Sequence, residues 1–331
     1  MKRLVIFILI AALGWSAYWF IGATGAKSGF EAWFQAREAE GWQAETSDIT
    51  VSGYPNRFDT TFTDIALADP DTGVSWIAPF FQLFALSYQP NHLIAIWPND
   101  QLLAFPDQKV AISSTGMKAS LVLGAATSLP LERSNFAAEG LSLKSTARWQ
   151  LTAESLNLAL HRQENDDATY RFALTSTGFA PPVSYKLPSG QSLPRTLRTV
   201  QADILAGFDR PWDRAALEDA RPQPTWIDIK LAEIAWGDLE LHAAGKVTVD
   251  NTGYPTGEIT IRATNWREII AIARASGQVN TSLLDAIEQG LELLAGLSGN
   301  SKTLDIPLNF KNGATRIGPV GIAPAPRLVL R

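Results

Sequence analysis

An unbroken apolar run near the amino terminus constrains this chain more than any other feature. The run extends from Leu4 to Ala23 without an ionisable side chain, and Lys2 and Arg3 precede it. A helix of about 20 residues, rising about 1.5 Å per residue, reaches about 30 Å, which is the thickness of the hydrocarbon core of a bilayer. Because basic residues are retained on the cytoplasmic side, the run predicts a single-pass anchor with a cytoplasmic N-terminus.

Aromatic side chains are gathered toward the far end of this run, where they resemble the belt that Trp and Tyr form at a membrane interface. We predict an anchor formed by residues 1–26 and marked by Lys2, Arg3, Leu4, Trp15, Tyr18, Trp19 and Ala23. The alternative is a cleaved signal peptide, because small residues from Ala23 to Ala26 suit a peptidase. A signal peptide usually has an apolar core of about 7 to 15 residues, so the uncleaved anchor is favoured.

The composition of the chain excludes several classes of function. Hydrophobic residues make up 46% and charged residues 18% of the 331 residues, as in a folded globular protein. The net charge is −5 and no basic run follows Arg3, so nucleic acid is not an expected partner. The absence of cysteine excludes disulfides, thiolate metal sites and cysteine nucleophiles.

Alternating apolar and polar residues dominate the chain after the predicted anchor. The clearest case is the segment from Leu239 to Val249, which is followed by a turn with Gly253 and Pro255 and by a second alternating segment, as in an antiparallel hairpin. Helical spacing returns only near Trp266. We therefore predict a mainly β (α+β) fold: an N-terminal transmembrane helix, a large curved antiparallel β-sheet domain, and a helical pair near the C-terminus.

The same patterns divide the chain into four segments. Residues 1–26 form the anchor, 27–45 a juxtamembrane helix, 46–185 a first β-rich half, and 186–331 a second β-rich half with the C-terminal helices. In the juxtamembrane helix, Phe30, Trp33 and Phe34 share one face, and Gly41 is its predicted end. These aromatics either lie close to the membrane or cap the core of the following domain.

Motifs that carry chemistry are not found. The sequence has no Gly-x-Ser-x-Gly elbow, no His-Glu-x-x-His helix and no Gly-x-Gly-x-x-Gly loop. Its three histidines leave little material for a metal cluster or an acid–base relay, and His242 lies on the polar face of a predicted strand. We therefore predict no catalytic residue, no cofactor and no metal site, and a function that is not enzymatic.

The area of the predicted sheet favours a binding function. About a dozen strands of about seven residues offer a face on the order of 1,300 Å², whereas the two predicted helices shield only about 400 Å². Either the sheet closes on itself as a sandwich or barrel, or it stays partly open as an apolar groove covered by lipid. The leading hypothesis is the binding or handling of phospholipid or another apolar ligand; the alternative is an interaction scaffold for envelope proteins.

Several turn and strand signatures resemble a known family. They are the anchor, the segment Gly53-Tyr54-Pro55, the segment Leu67-Ala-Asp69-Pro70, and the C-terminal Asp305-Ile-Pro-Leu308 with Asn312-Gly313 and Ile317-Gly318-Pro319. Together they resemble the alphaproteobacterial domain of unknown function 2125. This resemblance implies an inner-membrane protein with most of its chain in the periplasm, and it brings no catalytic residue. The strand and helix order near Trp266 is more distantly similar to AsmA-like envelope proteins, which are associated with phospholipid movement.

Overall fold

The structure of this chain is a computed structural model that describes residues 1–182, 192–277, 280–298, 302–318 and 320–330, and its internal contacts divide it into two units. Unit 1 consists of Met1–Ala125 and Ser134–Gln150, and unit 2 consists of Ala126–Arg133 and Leu151–Arg331. The predicted boundary between two halves, at residues 185 and 186, lies outside the described residues. The mainly β, antiparallel class with helices at both ends is confirmed.

Unit 1 begins with one long helix that is followed by short and long strands. Its elements are α1 (Lys2–Ala39), β1 (Gln43–Glu45), β2 (Asp48–Ser52), β3 (Arg57–Asp69), β4 (Val74–Leu86), β5 (Gln89–Trp97), β6 (Asp100–Ala104), β7 (Lys109–Ser113), β8 (Gly116–Leu123) and β9 (Leu131–Ser145), of which β9 enters from unit 2. The described pairings of β1 to β9 with one another are antiparallel.

The strand β4 is the branch point of the unit 1 sheet. Along its whole length β4 pairs with β3, with Phe62 opposite Phe81. On its other side, residues 82–86 pair with β5 and residues 75–77 pair with β6. The sheet therefore splits beyond β4, whereas β3 pairs on its other side with β1 and β2, and α1 packs on the face of β3 and β4.

The helix α1 joins two segments that the sequence predicted separately. It runs without a break from Lys2 to Ala39, through the predicted anchor and most of the predicted juxtamembrane helix. Gly41 follows it with a φ of +90°, a left-handed conformation that glycine adopts at low cost and that ends a helix. The helix is long and apolar enough to cross a membrane by its length and composition.

The second half of α1 covers part of the unit 1 sheet. Phe34 is buried in one apolar cluster with Phe62, Ile65 and Ala78, and Phe30 packs against this cluster. The aromatic face of the predicted juxtamembrane helix thus caps the core of the β unit, which is the second of the two interpretations that the sequence left open.

Unit 2 is an antiparallel meander in which each strand pairs with the next along the chain. Its elements are β10 (Gln150–Gln163), β11 (Asp166–Thr177), β12 (Thr199–Phe208), α2 (Arg214–Glu218), β13 (Pro224–Trp236), β14 (Leu239–Val249), β15 (Pro255–Thr264), α3 (Trp266–Ser276), α4 (Thr281–Ser298), β16 (Thr303–Lys311), β17 (Ala314–Ile317) and β18 (Val320–Pro324).

The hairpin and the helical pair predicted from the sequence are both present in unit 2. Strands β14 and β15 pair antiparallel, with Val249 opposite Pro255 across the turn. Helices α3 and α4 follow, and Trp266 at the start of α3 is fully buried with Leu291 of α4 and Leu304 of β16. These helices complete the core on their side of the unit 2 sheet.

Candidate functional site

An apolar cleft of about 540 Å³ lies between α1 and the sheet of unit 1. It is lined by residues of α1, β3 and β4, namely Ala26, Gly29, Phe30, Trp33, Phe34, Phe62, Ile65, Leu67, Trp76, Phe81 and Leu83. Its volume falls within the range of about 300 to 1,000 Å³ that is typical of small-molecule sites. Among the described residues, no ionisable side chain lines the cleft.

The floor of the cleft is a chain of touching aromatic rings. Phe62 lies at its centre, with its ring centroid 5.0 Å from that of Phe30 on α1 and 6.0 Å from that of Phe81 on β4. The ring of Phe81 is in turn 5.7 Å from that of Trp76. Phe62 and Phe81 are partners in the pairing of β3 with β4, which places their rings on one face of the sheet. Trp76 is five positions before Phe81, so it lines the same cleft because regular alternation is interrupted between them, where Asp64 of β3 has a φ of +50°.

The indole nitrogen of Trp76, in the floor of the cleft, forms a hydrogen bond with a neighbouring strand and does not face the cleft. Trp76 donates its indole N–H to the side-chain oxygen of Gln101 at 2.7 Å. The amide nitrogen of Gln101 lies 3.4 Å from the sulfur of Met117. Because the indole N–H is paired, Trp76 presents an apolar ring surface to the cleft.

The mouth of the cleft is formed by exposed residues of α1. Trp33 is 43% exposed, and a side chain built on Gly29 would meet nothing within 4 Å, so this wall is open to solvent. One turn beyond, the guanidinium of Arg37 lies 5.9 Å from the ring of Trp33 and donates to a carboxylate oxygen of Glu40 at 2.6 Å. A charged pair therefore borders the apolar mouth on the side away from the N-terminus.

The residues predicted to mark the anchor fall into two groups. Lys2, Arg3 and Leu4 are exposed and lie far from the sheet of unit 1 along the helix. The aromatic residues instead dock on two turns of unit 1: Trp15 donates to the carbonyl oxygen of Pro55 at 3.0 Å, Tyr18 to that of Ser87 at 2.6 Å, and Trp19 to that of Arg57 at 2.7 Å. Ala23 is buried.

Close packing completes this docking region, which we call the helix seam and define as residues 15–23 of α1 with residues 53–58 and 86–88. Gly22 faces Phe58 so closely that an added Cβ would lie 2.6 Å from the ring. The hydroxyls of Ser16 and Tyr54 share a hydrogen bond of 2.8 Å. The aromatic cluster that predicts a membrane interface therefore also holds the helix to the β unit.

The polar face of the unit 2 sheet carries a smaller recess of about 280 Å³. Arg262 and Asp305 line it and form a two-pronged pair with N···O distances of 2.7 and 3.1 Å. The hydrogen bond from Arg262 holds the pKa of Asp305 below its ordinary value. His242 lies 4.0 Å from Glu233 and 3.9 Å from Glu240 on the same face.

The charged side chains of this face pair with one another, Arg262 with Asp305 and His242 with Glu233 and Glu240, and they are partly exposed. Among the residues that the structure describes, no group of three or more histidine, aspartate or glutamate side chains is arranged to hold a metal ion. The cleft of unit 1 is therefore the better candidate for a functional site.

Sequence reasoning found the aromatic face of α1 but not the cleft that it covers. The lining residues of β3 and β4 follow Phe34, the last lining residue of α1, by 28 to 49 positions, and nothing in their local pattern indicates which helix covers them. The available signal was the combination of small residues, Ala26 and Gly29, with Phe30 and Trp33 on one helical face. The small side chains on such a face leave a space between the aromatic rings of the helix and the surface against which it packs.

One family model matches the chain. Its description is "Uncharacterized protein conserved in bacteria (DUF2125)", and the match covers residues 19–326, which include every residue that lines the cleft. No curated protein and no solved structure matches the chain. The more distant similarity to AsmA-like envelope proteins gains no support from these comparisons and stays a prediction.

Proposed function

This chain belongs to the DUF2125 family of bacterial proteins, and on that premise we propose that it is an anchored envelope protein that binds the acyl chain of a lipid in its apolar cleft. The proposal places α1 across the inner membrane, with the N-terminus in the cytoplasm and both units in the periplasm. The observation that carries it is a cleft of about 540 Å³ without an ionisable lining residue among those described, on the helix that also carries the apolar run.

The position of the cleft along α1 supports a lipid as the ligand. The apolar run ends at Ala23, and the first lining residue, Ala26, follows three positions later, about 5 Å along the helix axis. The last lining residue of the helix, Phe34, is about 12 Å beyond Ala26. An acyl chain that leaves the bilayer along α1 therefore reaches the cleft after a short exposed path.

The chemistry of the lining suits an acyl chain better than a polar ligand. Each methylene transferred from water to an apolar surface contributes about 0.8 kcal/mol, so a segment of about eight carbons contributes about 6 kcal/mol before the cost of ordering the chain. The paired indole N–H of Trp76 leaves ring faces as the contact surface. Arg37, which is paired with Glu40 next to the exposed ring of Trp33, offers a guanidinium near the mouth, where a headgroup would lie.

A photoreactive phospholipid tests this proposal. The full chain is reconstituted in liposomes of phosphatidylethanolamine and phosphatidylglycerol that contain a phospholipid with a diazirine near the end of one acyl chain. After irradiation, mass spectrometry locates the cross-linked peptides. We expect labels on β3 and β4, around Phe62 and Phe81, in addition to labels on the apolar run. Labels confined to residues 4–23 would contradict lipid binding in the cleft while leaving the anchor intact.

Two matched glycine variants make the test specific for the cleft. Gly29→Phe adds a ring at the mouth, whereas Gly25→Phe adds the same ring one turn earlier on α1, outside the lining; a Cβ at either position meets nothing within 4 Å. Both changes remove a helical glycine, so both are expected to raise helix stability equally. We expect the labelling of β3 and β4 to fall at least tenfold in Gly29→Phe alone, which corresponds to a loss of about 1.4 kcal/mol in binding free energy. Equal labelling of the two variants would contradict the proposal.

Cross-linking in intact cells addresses the alternative function, an interaction scaffold. One defined protein captured through residues of the cleft, with no lipid label on β3 or β4, would replace lipid binding by protein binding at this site. The Gly25→Phe variant serves again as the control, since its added ring lies outside the lining.

A further inference from the structure

The free part of α1 is too short to cross a bilayer by itself. Residues 2–14 precede the first contact of the helix with the rest of unit 1, which Trp15 makes with Pro55. These residues rise about 20 Å, whereas the hydrocarbon core is about 30 Å thick. A helix that spans the core must therefore include residues of the helix seam, which hold the turns of unit 1 at fixed positions along α1.

The seam fixes how deep these turns lie. If Leu4 is at the cytoplasmic boundary of the core, Ala23 is at the opposite boundary, about 30 Å away. Trp19, which bonds Arg57, is then about 6 Å inside that boundary, and Ser16, which bonds Tyr54, is about 10 Å inside. The turns that contact them lie at a similar level, within the depth of about 5 to 10 Å that interfacial segments reach.

The surface of these turns has the composition of a membrane interface. Tyr54 is 53% exposed and Tyr88 is 59% exposed, and Phe20 of α1 is exposed beside Tyr54, with the two ring centroids 5.6 Å apart. Exposed aromatic residues at one level are typical of the belt at a membrane–water boundary. The charged residue of this surface, Arg57, pairs with Asp59 at 2.5 Å, two residues farther along β3 from the turn.

We propose that the tip of unit 1, defined as residues 53–57 and 86–89, is inserted into the outer half of the phospholipid bilayer that α1 crosses. The inference rests on the proposed anchoring, and it adds a second membrane contact made by the β unit itself. When the tip is partly immersed, residues of the helix seam also lie within the bilayer and supply the roughly 10 Å that residues 2–14 lack. It also brings the mouth of the cleft closer to the lipid than an upright helix with a free linker would.

Depth-dependent fluorescence quenching tests this proposal, because the chain has no cysteine and a single introduced one is a unique label site. Three full-length variants carry an environment-sensitive dye at Leu9→Cys in the free helix, at Tyr88→Cys in the tip, and at Asp71→Cys in the opposite turn of β3 and β4. Each of these strands has 13 residues, which places the two turns about 40 Å apart. The liposomes of phosphatidylethanolamine and phosphatidylglycerol contain phospholipids with a nitroxide near the headgroup or near the chain end.

Three outcomes are distinguishable. We expect loss of fluorescence at Leu9→Cys with chain-end nitroxides, loss at Tyr88→Cys with headgroup-near nitroxides, and no loss at Asp71→Cys. Quenching at Leu9→Cys with none at Tyr88→Cys would overturn the inserted tip, since the bilayer would then thin around the helix, and would leave the anchor standing. Absence of quenching at Leu9→Cys would overturn the anchor and, with it, this inference.

Discussion

Trp19 and Arg57 are joined by a hydrogen bond of 2.7 Å, in which the indole N–H of the helix donates to the backbone carbonyl oxygen at the first residue of β3. Trp19 is only 5% exposed, and its ring stacks on Phe58 with the centroids 6.0 Å apart. An apolar helix is thus held by a directional bond to a defined point of the β unit, and not only by the burial of its surface.

Loss of this bond is expected to loosen the helix. Trp19→Phe keeps a ring but removes the N–H donor, which costs about 1 to 3 kcal/mol when a buried partner is left unpaired. Trp15→Phe removes an equivalent donor at a site that is 38% exposed, so its cost is expected to be smaller. Chemical unfolding of the detergent-solubilised chain, followed by near-ultraviolet circular dichroism, measures both. Equal effects of the two changes would contradict the role assigned to Trp19.

A side chain at Gly22 is expected to separate the helix from the sheet. Gly22→Leu places a Cβ 2.6 Å from the ring of Phe58, and overpacking of this kind costs about 1 to 3 kcal/mol. Phe58→Ala in the same chain makes room, so the double variant is expected to be more stable than the sum of the single changes predicts. Unfolding free energies of the four chains form the cycle; strict additivity would show that the two residues are not coupled.

The Tyr170 hydroxyl is expected to stabilise unit 2 and to make that stability sensitive to alkali. Tyr170 is fully buried, and its oxygen accepts from the backbone N–H of Trp212 at 3.0 Å. Burial raises the pKa of Tyr170, so its contribution is complete below about pH 10 and is lost as the pH rises through the folded pKa. Tyr170→Phe is expected to cost about 1 to 3 kcal/mol and to reduce the alkaline loss in a series of melting curves.

The exposed Tyr88→Phe variant is the control for that series. It also removes one phenol, but from a side chain that is 59% exposed, and we expect melting curves close to those of the unchanged chain. An equal effect of both phenol removals would show that burial of Tyr170 is not the cause.

The pair of Arg171 and Asp203 is expected to contribute stability that is lost in acid. Arg171 donates two bonds, of 2.7 and 2.5 Å, to the carboxylate, and these bonds lower the pKa of Asp203. The contribution is therefore present above about pH 3.9 and is lost as the pH falls through the lower folded pKa. Asp203→Asn should melt below the unchanged chain at pH 7, and the gap should close in acid; Arg171→Gln should behave alike.

Local patterns predicted the elements of this fold because their causes are local. The alternation from Leu239 to Val249 indicates a strand with one buried face. The first C-terminal helix begins at the buried Trp266, where the spacing of apolar residues changes from that of a strand to that of a helix. Ile227, Ile229 and Leu231 alternate in one phase and Ile234 and Trp236 in the other, which indicates a bulge in β13, and the register with β14 shifts close by, between Ile229 and Ala232. Each feature depends on residues within a few positions of one another.

The cleft and the helix seam could not be predicted in the same way. Trp19 and Arg57 are 38 positions apart, and the acceptor is a backbone oxygen that leaves no mark on the sequence. The cleft needs Phe30 of the helix and Phe81 of β4 on facing surfaces, which depends on how the chain folds back over β3. An apolar run that satisfies the length of a bilayer gives no sign that its last nine residues, from Trp15 to Ala23, are also packed against protein.

The contact of Gly22 with Phe58 fixes the position of α1 along its own axis relative to the sheet of unit 1. Sliding the helix by one residue moves it about 1.5 Å and turns it by about 100°, which replaces Gly22 by a residue with a side chain beneath the ring. The register of the helix is thereby locked, and the distance from the β unit to Lys2 and Arg3 is set by the number of residues before the seam. Deleting one turn from residues 4–14 would shorten that rod by about 5 Å without touching a contact of the seam or the cleft.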